Sequence, residues 1–174
     1  MTMYQKIAEY GPRLFGKARL LKVMFNVSPM YRRSTGRIAD VSDDLSTIQI
    51  RLPISYRNRN YVGAIYGGSM FSAVDGVPMV QLMNIIGDDY VVWDKSAGIV
   101  FKRPAREDLY ATVAFTGDEL ADIRRQVAEH GEMTFEKLIP WQNRDGDITY
   151  SEVRKQLYVA DKAFFKQKQQ ARGR

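Results

Sequence analysis

Apolar positions along this chain recur with two periods, and each change of period marks an element. Ile7, Leu14, Phe15, Ala18, Leu21 and Phe25 fall near one face at helical spacing, which predicts a helical segment over residues 1–27. Pro12 divides a short first turn from the main helix, and Ser28-Pro29 ends it. The period then drops to two. Ile48, Ile50, Leu52 and Ile54 alternate with Thr47, Gln49 and Arg51, so one face of a strand is buried. Arg37 to Val41 is its expected partner through the turn Ser42-Asp43-Asp44, and Pro53 marks either an edge strand or a strand end. A polar loop with glycines, Tyr56 to Gly68, precedes Ser69 to Ile86, a helix apolar almost all round that must be buried on most sides. Gly87-Asp88-Asp89 closes it.

The strand pattern returns in the β-branched run Tyr90 to Phe101 and in Leu109, Ala111, Val113 and Phe115. A helical insertion, residues 118–131, follows: Thr116 and Glu119 form a capping box, Leu120, Ile123 and Val127 the apolar stripe, Gly131 the C-cap. A last hairpin pairs Met133–Trp141 with Ile148–Val159 across Asn143-Arg144-Asp145-Gly146. One fully apolar helix among about six strands joined by short connections predicts an α+β fold, a curved antiparallel sheet wrapped around that helix, as one domain over 1–174 with a basic tail at 162–174.

Composition narrows the chemistry. The 45% hydrophobic content is enough for a core. The absence of cysteine excludes disulfides, Cys-ligated zinc, iron–sulfur clusters and thiol catalysis. His130, the single histidine, has no clustered partners, so neither a histidine-based triad nor a metal site is expected. The N-terminus lacks the apolar core of a signal peptide, and Met70 to Ile86 is shorter than a spanning helix and interrupted by Asp75, Pro78, Gln81 and Asn84; the reading is a soluble, cytoplasmic protein without a membrane partner. The net charge of +6 sits at the ends: residues 1–37 carry eight Lys/Arg against Glu9, and residues 162–174 carry five and no acid. Solvated terminal helices account for this better than nucleic-acid binding, which concentrates basic charge on the folded domain beside aromatics.

Candidate chemistry gathers between Asn60 and Asp75. Gly67-Gly68 lets the backbone come close to a ligand, and the helix opening there leaves N–H groups without intrahelical partners, suited to a phosphate or a developing oxyanion. Asp75 is the only acid between Asn60 and Gly87, and on so apolar a helix it needs a polar cleft or a hydrogen-bonding partner. Pro78 deprives the Val74 carbonyl of its helical donor, so a kink is expected beside Asp75.

Asn60, Tyr66-Gly67-Gly68 and Asp75 reproduce the spacing of a motif in which Asn is followed six residues on by His-Gly-Gly and, nine residues after the His, by an acid. Asp94 to Arg106, ending in Pro104-Ala105, looks like the next element of the same pattern. On these residues the chain resembles the hotdog-fold acyl-CoA thioesterases of the PaaI-like group, and within that superfamily a bacterial, thioesterase-like branch, DUF4442. The resemblance spans roughly residues 30–160. It implies Asp75 as general base or nucleophile on a fatty acyl-CoA thioester, the Gly67 N–H as oxyanion donor, and Asn60 as the group positioning the carboxylate or the water. It also implies a homodimer, or a dimer of dimers, with the site between subunits, so that Asp94 or Ser96 contributes from nearby. Gly68 would contact substrate, and Arg57, Arg59, Lys102, Arg103 and Arg106 flank the segment and would take the phosphates of coenzyme A, which enters as part of the substrate and not as a cofactor. Met70, Phe71 and Val74 line an acyl tunnel or fill the core. The departure from the family is Tyr66 in place of His, a side chain that titrates far above neutral pH and cannot serve as a base there. It leaves a non-catalytic acyl-CoA or fatty-acyl binding protein as the alternative. Hydratase chemistry, which uses a His in related proteins, ranks below both.

Overall fold

The computed structural model describes residues 16–173. Residues 1–15 of the helical segment expected over 1–27, with Ile7, Pro12, Leu14 and Phe15, lie outside them. The elements in chain order are α1 (Lys17–Val27), α2 (Pro29–Arg33), β1 (Arg37–Val41), β2 (Thr47–Leu52), α3 (Gly67–Val74), α4 (Val77–Ile86), β3 (Tyr90–Phe101), β4 (Leu109–Ala114), α5 (Gly117–His130), β5 (Glu132–Gln142), β6 (Thr149–Asp161) and α6 (Lys162–Arg172).

The six strands form one antiparallel sheet in the order β1-β2-β4-β5-β6-β3. The alternation read in the sequence is the burial pattern observed: Ile48, Ile50 and Leu52 point inward from β2, and Leu109, Ala111 and Val113 from β4, where the two strands pair in register from Thr47↔Ala114 to Leu52↔Leu109. Met70, Ala73, Val74, Val77 and Leu82 of the central helices fill the concave side against them. Two buried hydrogen bonds tie helix to surroundings: Trp141 Nε1 donates to the Met70 carbonyl at 2.9 Å, and Tyr31 Oη to the Ala73 carbonyl at 3.0 Å. Burial pushes the Tyr31 phenol above its ordinary range, so it remains a neutral donor. A curved antiparallel sheet around a central helix is the hotdog fold.

The central helix is not continuous. Instead of one kinked helix over Ser69–Ile86, α3 stops at Val74 and α4 starts at Val77, with Asp75 extended (φ −64°, ψ 131°) and Gly76 left-handed (φ 74°) between them. Pro78 in the first turn of α4 is the cause: its ring would clash with the Val74 carbonyl in an unbroken helix, and Gly76 takes the left-handed conformation at little steric cost. Gly67–Ile86 as a whole has the length and hydropathy of a bilayer span, but half of it is buried inside the fold.

Three smaller features sharpen the reading. Ser28-Pro29 ends α1 but opens α2, since proline suits the first helical turn. Pro53 marks a strand end, because β2 lies between β1 and β4 and is not an edge. Residues 162–172 are a helix capped by the Asp161 carboxylate, not a tail. The capping box at Thr116 and Glu119 and the left-handed Gly131 are as read, with α5 inserted between β4 and β5.

Candidate active site

The loop from Ser55 to Tyr66 is built by side chains that replace absent secondary structure. Asn58 is buried, accepts from the Ser55 N–H and donates to Thr35 Oγ1 and the Pro53 carbonyl. Asn60 Oδ1 accepts from the N–H groups of Val62 (3.1 Å) and Ala64 (3.0 Å), an Asx-type turn. Ile65 and Tyr66 then donate to Ala105 and Asn58 at 2.8 and 2.7 Å, fixing where α3 begins.

At that point Gly67 and Gly68 present backbone N–H groups with no acceptor among the described residues, at the positive end of α3. They face a cleft of about 660 Å³ whose walls include Asn60, Tyr66, Met70, Phe101, Lys102 and Arg103. The need for glycine is local. A Cβ on Gly67 would lie 2.4 Å from the Phe101 ring, and one on Gly68 2.3 Å from the Tyr66 ring. Two aromatic rings therefore stand directly over the helix opening. Lys102 is ion-paired with Glu152, while Arg103 has no carboxylate partner among the described residues.

Asp75 lies elsewhere. It is the C-cap of α3, eight residues beyond Gly67, which at the helical rise separates the two by about 12 Å. Its carboxylate accepts from Lys155 Nζ at 2.6 Å, and the same ammonium lies 3.1 Å from Asp94 Oδ2. Lys155 is 1% exposed on β6, while the Asp75 side chain is 54% exposed. Asp94 Oδ1 is buried with no hydrogen-bond partner.

The structure thus brings Asn60, Tyr66, Gly67, Gly68, Lys102 and Arg103 to one cleft, and Asp75 and Asp94 to one ion cluster. Met70 lines the cleft, Val74 is buried in the core, and Phe71 is packed against it. Ser96 is exposed on β3, just past a bulge, and joins neither group. Arg57, Arg59 and Arg106 are exposed outside the cleft wall. Lys155 and Phe101 were missed from the sequence. Lys155 had a signal: it occupies an inward position in the alternation Val153, Lys155, Leu157, Val159. Among the described residues no group of His, Asp or Glu could hold a metal ion.

The curved sheet around the central helices, with the helix opening at Gly67, defines a protein of the hotdog fold. The chain belongs to the DUF4442 family, a domain of unknown function, whose profile matches residues 16–159. Solved structures share the fold at low identity. A protein of unknown function from Pseudomonas aeruginosa, described as a probable thioesterase, is 17% identical with a TM-score of 0.72, over 82% of this chain and 95% of its own. A protein of unknown function from Chlorobaculum tepidum is 12% identical with a TM-score of 0.66, over 83% and 96%. A thioesterase from Haemophilus influenzae is 13% identical with a TM-score of 0.60, over 83% and 91%. No curated protein matches the chain.

Proposed function

We propose that this protein hydrolyses a fatty acyl-CoA thioester to the free acid and the thiol. The observation that carries the reading is the pair of unpartnered N–H groups of Gly67 and Gly68 at the mouth of α3, inside a cleft with Arg103 on its wall. Donors fixed in that way stabilise charge on a thioester oxygen as it develops. Asp75 acts as general base: it takes a proton from water as the water oxygen bonds to the carbonyl carbon. The C–S bond then breaks, and the proton passes to the departing thiolate. Reacting groups must come within about 3–3.5 Å of each other, so the Asp75 about 12 Å away in the same chain cannot serve the Gly67 of that chain. A second copy supplies it, in a homodimer. Lys155 holds the carboxylate in place from beneath.

A second reading, an acyl-CoA binder without turnover, is favoured by one specific observation: the Asp75 carboxylate is already engaged at 2.6 Å by Lys155. Thiol release from palmitoyl-CoA separates the two. Hydrolysis by the wild-type chain that falls at least about 100-fold in Asp75→Asn, as expected for loss of a general base, supports the enzyme. Saturable binding with no thiol released by wild type or Tyr66→His supports the binder. Equal hydrolysis by wild type and Asp75→Asn removes Asp75 from the chemistry.

A further inference from the structure

Two recesses meet at α2 and share no lining residue with the cleft. The first is apolar, about 560 Å³, walled by Leu21, Met24 and Phe25 of α1, Pro29 and Met30 at α2, and Val80 of α4. That volume lies within the roughly 300–1,000 Å³ of small-molecule pockets. The second, about 380 Å³, is lined by Arg32, Arg33, Arg37 and Arg57 with Thr35. Pro29 and Arg33 line both, so the apolar recess ends where the guanidinium groups begin.

No carboxylate among the described residues lies in ion-pair range of any of the four arginines. The Arg37 guanidinium donates to the Gly36 carbonyl, and the Arg57 guanidinium donates to the Tyr56 hydroxyl and stacks over its ring. The segments bearing them are tied together: buried Asn58 donates to Thr35 Oγ1 at 2.8 Å, and Thr35 itself is held at φ 66°, a costly conformation for a β-branched residue. Four like charges lining one recess repel one another, and an anion relieves that repulsion. Guanidinium forks match phosphate oxygens in particular. The adjoining apolar recess is concave, as suits an alkyl chain taken up singly from solution.

We propose that this double recess binds a single-chain amphiphile with a terminal phosphate, the chain between α1 and α4 and the phosphate on the arginines. The proposal is independent of the hydrolytic reading.

The test is calorimetric titration of the intact protein with dodecyl phosphate below its micelle concentration, with inorganic phosphate, dodecanol and phosphatidic-acid vesicles as further arms. Saturable binding is expected for dodecyl phosphate, and much weaker binding for phosphate or dodecanol alone. The exposed-site double variant Arg33→Ala/Arg37→Ala is expected to bind at least about tenfold more weakly and with less salt dependence. Met24→Trp, which fills the apolar recess, is expected to lose dodecyl phosphate but keep inorganic phosphate. Asp75→Asn is expected to bind like wild type, whether or not it hydrolyses thioesters. Wild-type affinity in both recess variants overturns the proposal. So does loss of binding in Asp75→Asn, which would put the ligand in the hydrolytic site. Vesicle binding that survives Met24→Trp makes the patch a bilayer contact, and a changed molecular mass in Met24→Trp makes it a face for a second copy; either result also overturns it.

Discussion

A lysine ammonium buried between two carboxylates depends on all three members. Lys155 reaches Asp75 at 2.6 Å and Asp94 at 3.1 Å, and Asp94 already has one buried oxygen without a partner. Lys155→Met leaves that buried carboxylate uncompensated, a loss expected to cost about 2–3 kcal/mol, reduced from a fully buried pair because Asp75 is half in water. Denaturant unfolding should show the lower midpoint, and adding Asp94→Asn should recover part of it, because the orphaned charge goes too. If both variants unfold like wild type, the cluster is not structural. At this scale the sequence was partly legible. Asn60, Tyr66, Gly67 and Gly68 come together because they are neighbours in one loop and its helix opening. The demand of Asp75 for a partner was also readable from an apolar helix with one acid. The partner was not read, because Lys155 lies 80 residues away and only its inward position in a strand betrays it.

Among elements, the junctions carry the information. Gly76 is left-handed at the break between α3 and α4, and a Cβ there would meet nothing within 4 Å. Gly76→Ala therefore tests conformation alone: a loss of about 1–2 kcal/mol is expected, seen as a lower urea midpoint with unchanged slope. Asp108 fastens the end of β2 to the start of β4, accepting from Arg51 Nη2 at 2.7 Å and from the Ile54 N–H at 2.9 Å. Burial is the largest single influence on its carboxyl and pushes it up. The Arg51 hydrogen bond, the Ile54 N–H and the guanidinium charge together outweigh burial, and the net direction is down. The folded protein thus holds the charge to lower pH than the unfolded chain does. The clamp's stabilisation is complete above the unfolded carboxylate's range and is lost as pH falls through the folded value. Asp108→Asn should cost about 1 kcal/mol at neutral pH and flatten the acid limb of stability against pH. An unchanged acid limb would assign it to other carboxylates. Periodicity revealed nearly all the elements, since alternation follows directly from one buried face. It merged α3 with α4 because both are apolar, and only the pairing of Gly76 with Pro78 distinguishes a break from a kink.

For the whole molecule, the two sheet edges are treated differently. On β1, Asn26 of α1 donates to the Ile38 carbonyl and accepts from the Ile38 N–H, both at 3.0 Å, and Lys22 donates to the Ala39 carbonyl, so this edge is occupied. The other edge is β3, twelve residues long, with Trp93, Val100 and Phe101 more than half exposed and backbone groups open on one side. A long apolar edge is a template for pairing, and in the homodimer proposed above two copies pairing through β3 would close on a two-fold axis. Ala97→Lys with Val100→Lys sets like charges on that edge and should convert a dimer to a monomer by light scattering. Complementation then tests who supplies Asp75. Gly67→Pro deletes the oxyanion N–H at a first-turn position, after a Tyr66 already extended at ψ 129°, and is made together with Phe101→Ala because a Cβ at position 67 would lie 2.4 Å from the Phe101 ring. Mixed after dissociation, an Asp75→Asn chain and a Gly67→Pro/Phe101→Ala chain leave one intact site in each heterodimer if the cleft takes its carboxylate from the other copy. Random re-assortment should restore roughly a quarter of wild-type hydrolysis, because half the dimers carry one of two sites intact. If each chain serves its own cleft, every site in every dimer is broken and no activity returns.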